Sequence, residues 1–283
     1  MSFQQTLVEA GFSQEASLRL LDSEHFTARN KNKSAREIVE RLFKIAEIYN
    51  TDIDTIRKAV LRFPQFAGYD HTRVLNGIKG VYKCTDEQAA KAVLTFPQFA
   101  SLDHTRVLSG IKGVYKCTDE QAAKAVLTFP PFAGLDHTRV LNGIKDVYKC
   151  TDEQAAKAVL THPQFASLDH TRVLRQQSKI GRLVGVEEDR VRDEILKRPR
   201  LAGLSVKRYI AVIDVFRQLD GDLTGVPKEH LVDWWLRNST KSPYVPGMKR
   251  ERVSHAIKKG NTTEPDLMNA LRKSVPKLRV KAA

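Results

Sequence analysis

The sequence predicts an all-α solenoid of 33-residue helix pairs, a right- or left-handed superhelix with non-repeat helical caps. Three observations predict it. A fixed period of 33 runs through the chain: residues 84–116, CTDEQAAKAVLTFPQFASLDHTRVLSGIKGVYK, and residues 117–149 differ at only four positions. Each unit carries helix start and stop signals in the same places. Apolar residues follow a 3.6-residue period between those signals, so each helix has one face that a neighbour must cover.

The elements follow in order. Residues 1–50 read as an N-terminal helical cap ending in a partial repeat, because Ile45 to Tyr49 falls one period before Ile78 to Tyr82. Residues 51–183 hold four near-identical repeats. Within a unit, Thr85-Asp86-Glu87-Gln88 is a capping box, in which hydroxyl and amide satisfy free N–H groups reciprocally, so the first helix starts there. Ala89, Ala92, Val93 and Phe96 line its apolar face, and Pro97 ends it by disfavouring helical geometry in the preceding residue. PQFAS is a short connector, read as one turn of tighter helix. Asp103 caps the second helix, whose apolar residues are Val107, Leu108, Ile111, Val114 and Tyr115. Residues 184–223 form a degenerate repeat after a three-residue insertion, with Pro199 where the period from Pro163 gives 196. Residues 224–283 read as a basic C-terminal helical cap and tail, with Trp234 and Trp235 covering the last repeat.

This layout resembles the repeat of the mitochondrial transcription termination factor (mTERF) family: an amphipathic helix ending in proline, a Pro-x-Phe/Leu-x-x-Leu connector, then a second helix. TDEQAAKAVLTFPQFASL matches at Pro97 and Leu102, its copies match at Pro64, Pro130 and Pro163, and EEDRVRDEILKRPRLAGL matches at Pro199 and Leu204. The resemblance covers about residues 35–215. It implies a curved α-solenoid that binds DNA or structured RNA along a basic concave surface, and a role in transcription regulation. The near-identity of the units departs from that family. A weaker resemblance is to TAL-effector repeats, whose LTPEQ is similar to CTDEQ, although their glycine-rich reading loop is missing here.

Charge points to an anionic partner. The 283 residues carry a formal charge of +14, with the excess of basic over acidic groups 0 in residues 1–50, +3 in 51–174 and +11 in 175–283. On a helical wheel, Arg73, Asn76, Gly80 and Lys83 lie opposite the apolar face of the second helix, at i, i+3, i+7 and i+10. Their copies are Arg106, Ser109, Gly113 and Lys116, then Arg139, Asn142, Asp146 and Lys149, then Arg172, Arg175, Lys179 and Arg182. The ten cations of these stripes are the expected phosphate contacts. Asn76, Ser109 and Asn142 are candidates for base reading, since short polar side chains bond base edges. Solvent exposure alone also accounts for their variation, because exposed sites drift first after duplication. In the tail, Lys249, Arg250, Arg252, Lys258 and Lys259 form a basic cluster that would extend the footprint.

No catalytic apparatus is visible. G-x-x-x-x-G-K-[ST], G-x-G-x-x-G, G-x-S-x-G and H-E-x-x-H do not occur, so the chain is expected not to be an enzyme and to need no cofactor. Cys84, Cys117 and Cys150 recur at the period without any C-x-x-C pair, so they are expected as small buried packing residues rather than metal ligands. His71, His104, His137 and His170 each follow a capping Asp and are expected in helix-start packing. The Phe63/Phe66 pair and its copies are expected in the core, with His162 replacing one member. The longest apolar stretch, Tyr209 to Phe216, is far short of a membrane span, so no membrane association is expected. The opening MSFQQTLVEAGF lacks a basic n-region and an apolar h-region. An intracellular, reducing compartment is therefore expected: cytoplasm, nucleus, organelle matrix or, after delivery, a host cell. The functional expectation is a monomeric, non-enzymatic nucleic-acid-binding repeat protein. The alternative is a protein-binding scaffold or effector whose basic tail is a localisation element.

Overall fold

A computed structural model describes residues 2–184 and 186–203. The degenerate repeat beyond residue 203, Trp234, Trp235 and the basic cluster of Lys249, Arg250, Arg252, Lys258 and Lys259 lie outside the described residues. The chain is an all-α solenoid of 33-residue helix pairs, with no strand among the described residues. It divides into two compact units, residues 1–138 and 139–283.

The first unit opens with α1 (Phe3–Glu9), α2 (Gln14–Leu21) and α3 (Glu24–Asn30), followed by α4 (Ala35–Ile48). Then come α5 (Ile53–Arg62), α6 (His71–Tyr82), α7 (Asp86–Thr95), α8 (His104–Tyr115) and α9 (Asp119–Thr128). The helix α10 (His137–Tyr148) contains the division between the units. The second unit holds α11 (Asp152–Thr161), α12 (His170–Val184) and α13 (Glu188–Lys197).

Each start signal forms as the sequence requires. Thr85, Thr118 and Thr151 cap α7, α9 and α11 in complete capping boxes with Gln88, Gln121 and Gln154. The carboxylates of Asp70, Asp103 and Asp169 accept the N–H of Arg73, Arg106 and Arg172 at 2.9–3.0 Å. After each first helix, a 3₁₀ turn begins at proline: Pro64–Gly68, Pro97–Ser101, Pro130–Gly134, Pro163–Ser167 and Pro199–Gly203. Proline suits that place because its missing N–H falls among groups that a helix start leaves unpaired anyway.

In the first unit the helices form two layers. First helices pack on first helices, α5 on α7 and α7 on α9, while α4 packs on α6 and α6 on α8. Phe66, Phe99, Phe132 and Phe165, one from each 3₁₀ turn, are fully buried, as are Ile78, Ile111 and Ile144 of the second helices. Removing such a phenyl ring costs about 3–5 kcal/mol, which makes the turn, not only the helices, part of the core. The other member of each Phe pair, Phe63, Phe96 or Phe129, is only half-buried, so the expected pair contributes one core residue. That half-exposed place accommodates His162, whose pKa burial and the nearby Arg200 hold below the usual imidazole range.

Successive repeats are joined by a Tyr–His couple. The hydroxyls of Tyr49, Tyr82 and Tyr115 lie 3.0–3.3 Å from Nδ1 of His71, His104 and His137. Each histidine also packs against the buried Phe of its repeat, with ring centroids 4.5–4.6 Å apart. Burial pushes all four repeat histidines down to about 4, so they are neutral packing groups, as expected. In the second unit Tyr148 and His170 keep the edge-on ring geometry at 5.6 Å, yet the tyrosine hydroxyl and both imidazole nitrogens have no hydrogen-bond partner.

The same helix absorbs the three-residue insertion. α12 is 15 residues long where α10 is 12, because Gly181 and Arg182 take the places of Tyr148 and Lys149 and the helix runs on. Gly181 lets α13 close in: a Cβ there would sit 2.6 Å from Val191 Cγ2. The N-terminal helices are tied down by arginines, Arg57 donating to the Ala10 carbonyl at 2.9 Å and Arg29 to the Gly68 carbonyl at 2.6 Å.

Candidate nucleic-acid interface

The second helix of each repeat carries the candidate interface. Its buried face is fixed by the isoleucine and the tyrosine four residues later, Ile78 with Tyr82 on α6 and Ile111 with Tyr115 on α8. The opposite face is therefore turned to solvent. Arg73, Asn76 and Gly80 on α6 and Arg106, Ser109 and Gly113 on α8 are all exposed. Because α6 packs on α8, the two stripes stand on adjacent helices of one layer. In the second unit Arg139, Asn142 and Asp146 on α10 and Arg172, Arg175, Lys179 and Arg182 on α12 are exposed as well. A Cβ built at Gly80 or Gly113 meets nothing within 4 Å, so the helix surface there is open to close approach.

Lys83, Lys116 and Lys149 are exposed but do not continue the helical stripe. The wheel places them at i+10 of a helix that has already ended: α6, α8 and α10 stop at Tyr82, Tyr115 and Tyr148, and each lysine takes a left-handed backbone with φ of 50–53°. The end of a helix in αL redirects the chain, so these side chains leave from the corner between second and first helix rather than from the stripe. The sequence holds a signal for this geometry in Asn50, the equivalent residue of the partial repeat, with φ of 48°. Asparagine is among the few non-glycine residues that visit this region readily.

Part of the repeat charge is paired within the fold. Lys79, Lys112 and Lys145, in the last turn of each second helix, pair with Asp86, Asp119 and Asp152 at the start of the next first helix, at 2.5–2.6 Å. These lysines are thus engaged within the fold. Among the described residues, Arg73, Arg106, Arg172, Arg175, Lys83, Lys116, Lys149 and Lys179 form no ion pair. Arg182 donates weakly to the Ser178 carbonyl at 3.4 Å. Of the exposed acids of the repeats, Asp86, Glu87, Asp119, Glu120, Asp152 and Glu153 lie in the first turns of the first helices and complement those helix dipoles, whereas Asp70, Asp103, Asp136 and Asp169 stand at the starts of the second helices and Asp146 on the α10 stripe.

No described cluster of His, Cys, Asp and Glu has metal-binding geometry. Cys84, Cys117 and Cys150 are free thiols and half-buried rather than buried, with pKa values that burial pushes up, so they are poor nucleophiles. No helix among the described residues is long and apolar enough to cross a membrane. Comparison of the chain with models of known protein families and with curated protein sequences finds no match.

Proposed function

We propose that the chain binds nucleic acid without catalysing a reaction on it, through phosphate contacts from the cation stripes of its second helices. The observation that carries this reading is the exposed arginine that each repeat holds at the same place, in a row of Arg73 and Arg106 on adjacent helices of the first unit and again at Arg139 and Arg172 in the second. A backbone with one charge per repeating step is the polymer that such a row complements. Among the described residues Arg73, Arg106, Arg172 and Arg175 form no ion pair, so their charges stay available to a phosphate. Asn76, Ser109 and Asn142 stand between the cations, exposed and able to bond base edges. The mTERF resemblance adds the transcriptional role to the same reading, in an intracellular, reducing compartment, with the chain acting as a monomer. Three free thiols suit such a compartment.

A protein-binding scaffold is the competing reading, favoured by Phe43 and Ile48, which are large apolar side chains exposed on α4. Salt separates the two, because neutralised phosphates release counterions and a protein interface with apolar anchors does not. Fluorescence anisotropy with labelled single- and double-stranded DNA and RNA between about 50 and 200 mM salt is the test. Substituting Arg172, Arg175, Lys179 and Arg182 together by Glu is expected to cut the slope of log K against log salt by about 3 and leave the helical circular dichroism intact. Absence of binding at the low-salt end would overturn the proposal and leave the stripe to a protein partner.

A further inference from the structure

The helix α4 is structurally the second helix of a repeat: it packs on α6 as α6 packs on α8, its Tyr49 couples to His71 as Tyr82 does to His104, and Asn50 takes the left-handed turn of Lys83. The 33-residue register therefore maps the stripe onto it residue by residue, and all four places change character. Arg73 becomes Glu40, Asn76 becomes Phe43, Gly80 becomes Glu47 and Lys83 becomes Asn50, and all four of these α4-side residues are exposed. Phe43, at 52% exposure, offers no hydrogen bond where the repeats offer Asn or Ser. Glu40 is held by Arg36 at 2.8 Å. Lys44 is exposed one place over, at the position of Gly77, so none of the four equivalent places on α4 carries a cation.

We propose that α4 is the end stop of the interface: Glu40 and Glu47 repel the next phosphate, so a bound strand reaches α6 and goes no further, which fixes its register on the first unit. This inference rests on the nucleic-acid reading above and assigns the edge of that site. Repulsion at the edge matters for a periodic binder. An array of equivalent stripes lets a strand slide by whole repeats, and a terminal repeat with acids at stripe places penalises every register that overlaps it.

The test uses the full chain and two variants, Glu40→Gln with Glu47→Gln, and Glu40→Arg with Glu47→Ala. Homopolymer oligonucleotides of increasing length are titrated by anisotropy, and the salt slope is measured on a long one. The charge-reversed variant is expected to steepen the slope by about 0.7–0.9, the contribution of one added phosphate, and to lengthen the shortest oligonucleotide that reaches full affinity. The neutral variant is expected to bind a few-fold tighter, in the same direction. Unchanged slope and unchanged minimal length in both variants would overturn the end stop. Arg73→Glu with Arg106→Glu is the control for the parent reading. If that pair leaves binding unaffected, the stripe is not the interface, whereas loss of binding there together with inert α4 variants sinks the end stop alone. Both α4 positions face solvent, and melting followed by circular dichroism verifies that each variant folds.

Discussion

Lys83, Lys116 and Lys149 hold a backbone conformation that suits glycine, and the repeats keep a cation there three times over. A left-handed turn with a Cβ costs about 1 kcal/mol relative to glycine. The lysine offsets part of this by placing positive charge at a helix C-terminus, where carbonyls are unpaired. Replacing Lys116 by Gly is expected to raise stability by about 0.5–1 kcal/mol in urea denaturation, and at the same time to weaken nucleic-acid binding. Loss of stability on that substitution would show that the lysine, not the turn, dominates the corner. The conformation was legible only indirectly, through Asn50, since a helical wheel extends any helix past its true end. Phe96 and its copies were misread for a related reason: an apolar residue beside proline is assigned to the core by type, while the extended backbone that precedes the 3₁₀ turn swings it half out.

At the scale of the element, the helix pair was the most legible object, because its signals are local. Capping box, proline and Asp cap each act within four residues, so sequence spacing alone defines them. Thr118 accepts from Gln121 N while the Gln121 amide oxygen accepts from Thr118 N, at 3.0–3.3 Å. Thr118→Ala is expected to destabilise the chain by about 1 kcal/mol, measured as a lower urea midpoint, without altering the salt slope of binding. A change in that slope would mean that the first helix contributes to the interface. α12 marks the limit of local reading. Its extension past the usual stop follows from the absence of a Tyr–Lys terminus and from the fit of Gly181 against Val191, a contact between helices that no periodicity announces.

The four clear repeats each hold one largely buried histidine, which gives them a shared acid sensitivity. His71, His104, His137 and His170 titrate near 4 in the folded chain because burial disfavours the imidazolium, while an unfolded chain takes up protons near 6.5. The unfolded state binds more protons between those values, so stability holds above about pH 6.5 and falls as pH drops toward 4. The loss is on the order of 1–2 kcal/mol per histidine by pH 5. Urea midpoints followed by circular dichroism at pH 7.5, 6 and 5 are expected to decline together, and a flat midpoint over that range would show that the imidazoles are more solvated than their packing implies.

The sequence by itself determined the fold class, the 33-residue unit, its two helices and the solvent-facing side of the second one, since near-identical copies must adopt one local structure and one buried face. Only the tertiary structure decided which member of each aromatic pair is core, that the stripe lysines leave from the helix end, and that α4 packs on α6 as α6 packs on α8. Those outcomes depend on how one repeat covers the next. Burial and helix termination are settled by neighbours in space, which a repeating sequence specifies by its period but does not display.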